Sequence, residues 1–243
     1  MEHVARTHDG FRFIQRGPET DDHLALGGHE AGLGPTLYAF ARALETDSKI
    51  VVVGAHVGLW AIRLAQFCPV IAYEANPATA ATLRRNVDLN RKMLLHYVQV
   101  REYAVWDVSG HHVSLTDENG KAEGGSTRAV EAPGSSVMTV ALDDDGLYRV
   151  GLMVIDVEGA EAKVLRGARH ILERDRPALV IEVHEGLPGT DPDLREQLDG
   201  ELRRADYDWI SLNITGERYL ARHQSRMPTL DFEPEIIRGV PQE

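Results

Sequence analysis

Three ionisable side chains stand where apolar runs end. "LMVIDVEGAE" carries Asp156 directly after a buried-looking stretch, and "ALVIEVHEG" sets Glu182 and His184 two positions apart, which on an extended strand is one face. If the two strands are neighbours, Asp156, Glu182 and His184 converge at one rim. A carboxylate leaving an apolar run loses solvation unless a partner or a reaction uses its charge. Such a trio can hold a divalent cation such as magnesium, or one member can take the proton of an attacking hydroxyl, itself a poor nucleophile at neutral pH. Plainer roles compete with these. Asp156 can cap the helix that follows, Glu158 and Glu161 suit its electropositive first turn, and His184 can be an ordinary rim histidine.

A second constellation lies upstream. In "KIVVVGAHVGLW" a β-prone run gives way to Gly54, Ala55, His56 and Gly58, the kind of turn at which open α/β sheets bind their ligands. A triphosphate loop requires a Gly-Lys-Ser/Thr ending, which is missing, and a dinucleotide fingerprint requires G-x-G-x-x-G, which the spacing of Gly54 and Gly58 does not match. S-adenosylmethionine (SAM) asks instead for close backbone approach and an acid on the ribose hydroxyls. Glu74, ending "VIAYE", supplies such an acid. A sulfonium is a good leaving group, so the remaining work is to align the attack and remove the acceptor's proton.

These residues need a scaffold, and the chain repeats short Val/Ile-rich runs with helical patterns between them. Ile50 to Val53, Val70 to Tyr73, Leu95 to Val100, Leu152 to Ile155 and Ala178 to Val183 read as buried strands, and Val164, Leu165, Ala168, Ile171 and Leu172 line one helix face. Strand alternating with helix predicts a doubly wound, mostly parallel α/β sheet with helices on both faces. Residues 1–48 read as loop plus one helix from Pro35 to near Asp47, residues 49–213 as the ligand-binding domain, and residues 214–243 as a strand (Tyr219 to Ala221) and an irregular tail on the same domain. Thr20 to Gly34 and Thr116 to Ser136 are long connections of the kind that close over substrates. The tail offers a surface on which a second copy of the chain could pack, so a homo-oligomer is left open.

Composition narrows the partners. A formal charge of −12 with no dense Lys/Arg run disfavours nucleic acid and anionic lipid. The single cysteine, Cys68, rules out an intrachain disulfide and Cys-rich zinc patterns; with no apolar span for a membrane and no signal-like start, a cytoplasmic location is expected.

Taken together, "VVVGAHVGLW", "AYEANP", "TVALDD", "IDVEGAEAKVLRGA" and "RPALVIEVHEG" resemble the FkbM family of SAM-dependent methyltransferases, in the family's order of blocks and from about Lys49 to Asn213. The resemblance implies a seven-strand, Rossmann-like class I methyltransferase fold with a reversed last hairpin. It also implies methylation of hydroxyls on sugars, glycolipids or secondary metabolites. Carried over by residue, it assigns the cofactor to Gly54, Ala55, Gly58 and Glu74, with Tyr103, Ala104 and Val105 near adenine. His56, Ala75 and Asn76 fall within the same cofactor-binding blocks. Asp156, Glu158, Glu182 and His184 map to the signature acids and histidine, Asp156 bordering both cofactor and acceptor. The chain departs from the family pattern at Val52, His56 and Ala75, where Asp, Asn and Pro are usual. The lost Asp would have faced the methionine amino group, and His56 is a candidate substitute. A different class of reading is a protein that binds SAM or another adenosine ligand without catalysis and acts through its loops.

Overall fold

The computed structural model describes residues 4–14, 33–116, 128–130, 137–185, 190–212, 218–223 and 236–237. In chain order the elements are β1 (Val4–Arg6), β2 (Arg12–Ile14), α1 (Leu33–Arg42), β3 (Lys49–Val53), α2 (Leu59–Leu64), β4 (Val70–Tyr73), α3 (Pro77–Asn90) and β5 (Val98–Arg101). A short-stranded insertion follows: β6 (Ala104–Val105), β7 (His112–Thr116), β8 (Arg128–Val130) and β9 (Val137–Val140). The chain then returns with β10 (Val150–Ile155), α4 (Glu161–Arg166), α5 (Arg169–Asp175), β11 (Ala178–Glu182), α6 (Leu194–Arg204), β12 (Tyr207–Leu212), β13 (Arg218–His223) and β14 (Ile236–Ile237).

The main sheet runs β14-β12-β13-β11-β10-β3-β4-β5. From β11 to β5 the neighbours are parallel, and β13 and β12 form the reversed hairpin beyond them. The sheet therefore has eight strands where seven were expected. The extra strand, β14, is two residues that pair antiparallel with β12 and cover part of an edge that would otherwise expose its backbone groups.

Side-chain alternation sorts the strand residues into two cores. Val51, Val53, Ile71, Met153, Ile155 and Ile181 face α4, α5 and α6, while Ile50, Val52, Val70, Leu152, Val154 and Val180 face α1, α2 and α3. Helices on both faces explain why the strands read as continuous apolar runs rather than alternating ones. A second sheet, β6-β9-β7-β8, is built from the insertion.

Two expectations need correction. The N-terminal region opens with a hairpin, not a loop: β1 and β2 pair antiparallel around a turn in which Gly10 adopts φ +89°. Its anchor is α3, where Asn86 and Asn90 are fully buried. Asn86 accepts from the Ile14 N–H (2.8 Å) and donates to the Val57 carbonyl (2.9 Å), while Asn90 accepts from the Arg12 N–H (2.8 Å). Helix α1 begins at Leu33 and ends at Arg42, earlier than expected at both ends. The expected loop over Thr20 to Gly34 falls outside the described residues up to position 32; of Thr116 to Ser136 only Thr116 and β8 are described.

Candidate active site

The sheet order changes direction between β3 and β10. From β3 the chain proceeds outward through β4 and β5, then crosses back to β10 and β11, and the carboxyl ends of strands at such a switch point form a crevice. Gly54 and Asp156 face each other across it. The Asp156 N–H donates to the Val53 carbonyl at 3.0 Å. Gly54 has φ +80°, and a Cβ there would collide with the Asp156 carbonyl oxygen, so only glycine permits this approach. Gly58 has φ +96°, and a Cβ on it would strike Leu83 of α3.

Glu74 ties the first turn to the second. It is 8% exposed, one carboxylate oxygen accepts from the His56 N–H and the other from the Asn76 N–H, each at 2.8 Å. Each oxygen of this buried carboxylate is thus committed to a backbone N–H, one from each turn. The Asn76 side chain is engaged elsewhere: it caps α3 by accepting from the Ala78 and Thr79 N–H groups, with Pro77 following in its usual first-turn place. Ala75 packs beside the buried cluster of the small sheet. Past β5, Tyr103 is partly buried, and Ala104 and Val105 form β6, which pairs with β9. Val52 is 3% exposed in the core under α1 and α2, so an apolar contact stands where the resemblance led to the expectation of a carboxylate.

Asp156, Glu182 and His184 come together as the strand pattern predicts. His184 Nε2 lies 3.7 Å from both Asp156 and Glu158 and 4.0 Å from Glu182. Among the described residues, Asp156, Glu158 and His184 offer potential metal-donor atoms that all lie within 4.8 Å of one another; Glu182 is not part of that group. Behind the ring, His184 Nδ1 donates to Glu161 Oε1 at 3.0 Å. Burial opposes charge on the imidazole, but the bond to Glu161 and the negative charges of Asp156, Glu158 and Glu161 outweigh it and push His184 up to about 9. A crevice beside these acids is lined by Leu33, Trp60, Val154, Ile155, Asp156, Val180 and Glu182. Trp60 Nε1 is buried and has no hydrogen-bond partner among the described residues. Sequence reading missed Trp60, because a single tryptophan two residues into a helix carries no signal of what faces it. It placed Glu161 in the first turn of the following helix, where it lies, but missed its bond to His184. The "TVALDD" block is architectural: Asp143 accepts from the His170 and Ile171 N–H groups at the start of α5.

Residues 53–208 match the family described as Methyltransferase FkbM domain. No curated protein matches the chain. Among solved structures, the chain is similar to an FkbM methyltransferase from Methylobacillus flagellatus KT (20% identity, TM-score 0.50), over 73% of this chain and 44% of that one. It is also similar to a putative rRNA-methylase from Clostridium thermocellum (9% identity, TM-score 0.51), over 78% of this chain and 94% of that one. At these identities the likeness is one of fold, and the chain spans less than half the length of the first of these proteins.

Proposed function

Because the chain belongs to the FkbM methyltransferase family, we propose that it is a SAM-dependent O-methyltransferase acting on a hydroxyl of a small acceptor, of the sugar, glycoside or secondary-metabolite class. The observation that carries this reading is the meeting of Gly54 and Asp156 at the switch point, with Glu74 bound to the same turn. The residues fit the cofactor. Only glycine at position 54 lets the turn lie against the Asp156 backbone, and Glu74 sets a carboxylate between the first and second turns, the group type that binds ribose hydroxyls.

When bound, SAM supplies an electrophilic methyl group on a sulfonium. The turn at Gly54 and Ala55 would bring backbone close to the ligand, and Glu74 would receive its sugar hydroxyls. Asp156 and Glu182 line the adjoining crevice, which supports a role for one of them in taking the proton of an acceptor hydroxyl. His184, held in its charged form at neutral pH, steadies these acids rather than competing for that proton. Leu33, Val154 and Val180 keep the crevice wall apolar.

Two further readings attach to the same residues. The close grouping of Asp156, Glu158 and His184 favours a divalent cation such as magnesium, which would displace the Nε2 proton and use Nε2 as the ligating atom because Nδ1 is bound to a carboxylate. The burial of Val52 where an acid is usual favours a non-catalytic adenosine-ligand binder. Incubation with labelled SAM and a panel of hydroxylated acceptors tests the main reading. Asp156→Asn should lower kcat by about 10²–10⁴-fold, the span of positioned acid–base catalysis. Ligand affinity and biological effect that survive both Asp156→Ala and Glu182→Ala, with no transfer by the unaltered chain, would establish the binder instead. Repeating the assay with chelator and then added magnesium isolates the cation.

A further inference from the structure

Glu161 does not behave as a helix-start acid. Such residues interact with the helix dipole from the solvent side, yet Glu161 is 0% exposed. No arginine or lysine is paired with it among the described residues. Its Oε1 accepts two hydrogen bonds, from the Gly159 N–H and from His184 Nδ1, both at 3.0 Å; its Oε2 is buried and has no hydrogen-bond partner among the described residues. Burying a carboxylate is costly unless its charge is used where it lies.

The two donors belong to the two halves of the site. Gly159 sits in the turn that follows Asp156, with φ +104°, and Glu158 beside it has φ +55°, a left-handed conformation that a side-chain-bearing residue rarely adopts. That conformation accompanies a Glu158 carboxylate 3.7 Å from His184 Nε2. The other donor is the His184 ring itself. One buried oxygen thus joins the turn carrying Asp156 and Glu158 to the strand end carrying Glu182 and His184.

We propose that Glu161 is a positioning residue for methyl transfer: its Oε1 locks the turn after Asp156 and the His184 ring into one arrangement, touching neither cofactor nor acceptor. The inference rests on the methyltransferase reading for its kinetic consequence, but its geometric half stands apart from that reading. A side chain that clamps a ring from behind fixes which nitrogen faces the site, as outer carboxylates do for functional histidines generally.

The test uses the full chain treated with chelator, with Glu161→Gln and Glu161→Ala. Nitrogen-15 NMR of the imidazoles should show a His184 Nδ1 proton protected from solvent exchange in the unaltered chain and lost in Glu161→Ala. In the transfer assay, Glu161→Gln, which keeps an acceptor oxygen, should retain the fold and SAM affinity within about threefold while kcat falls at least about tenfold, with Glu161→Ala lower still. An unchanged His184 signal in Glu161→Ala, or unchanged kcat in both variants, would overturn the proposal, as would a Glu161→Gln variant that fails to fold, since the residue would then be merely structural. If the unaltered chain transfers no methyl group, the methyltransferase reading fails alone, and the NMR comparison still decides whether Glu161 holds the ring.

Discussion

His184 is bordered by the carboxylates of Asp156, Glu158, Glu161 and Glu182, and that crowding has a measurable consequence. A histidine whose native pKa lies above its unfolded value of 6.5 contributes its full stabilisation below pH 6.5 and loses it as pH rises through about 9. In chelator-treated protein, Tm should fall by several degrees across that window when followed by circular dichroism. His184→Asn should flatten the slope, even from a lower starting Tm, and an equally steep slope in the variant would place the titration elsewhere. The positions of Asp156, Glu182 and His184 were legible because each follows a recognisable strand, and period two determines which residues share a face. The partnership of Glu161 was not legible. It depends on the left-handed turn at Glu158 and Gly159 folding a helix start back beneath a distant strand end, and no local pattern encodes that contact.

The elements that carry the site are braced by one that sequence reading overlooked. Strands of three residues are too short for a period-two pattern, so β1 and β2 were read as loop although "HDG" between them is a turn signal. The longer strands β3, β4, β10 and β11 were legible within two residues because burial on both faces leaves uninterrupted Val and Ile. The hairpin matters through Asn86, which bonds both the hairpin and the carbonyl of Val57 in the turn between Gly54 and Gly58. Asn86→Ala would leave a buried N–H on Ile14 and a buried carbonyl on Val57 without those partners. At about 1–3 kcal/mol for an unsatisfied buried group, the midpoint of urea unfolding should fall clearly. Because Val57 lies between Gly54 and Gly58, SAM affinity should weaken with it. A stability loss with unchanged affinity would show that the hairpin braces α3 but not the turn.

On the scale of the whole molecule, the switch point joins two stretches of chain that meet only when the sheet is complete. Residues 49–101 build β3, β4 and β5, an insertion with its own small sheet intervenes, and β10 and β11 then add to the opposite side of β3. The strand alternation foretold a doubly wound sheet, but not the pairing of β14 on its far edge, because two residues carry no pattern. A ligand seated between Gly54 and Glu74, against Asp156, binds only the assembled sheet, so it must raise the stability of the whole. At a free concentration one hundred times Kd the gain is about 2.7 kcal/mol, and for a chain of this size each kcal/mol is worth about 2–4 °C. Saturating SAM should therefore raise Tm by about 5–11 °C in a thermal-shift measurement. Gly54→Ala should abolish the rise, because a Cβ there meets the Asp156 carbonyl and φ +80° disfavours any side chain. If that variant does not fold, Glu74→Gln serves in its place. It keeps an acceptor oxygen for one backbone N–H but loses the charge and one acceptor, and its rise should shrink by more than half. An undiminished rise in Glu74→Gln would move the ribose off this acid and the ligand out of the crevice.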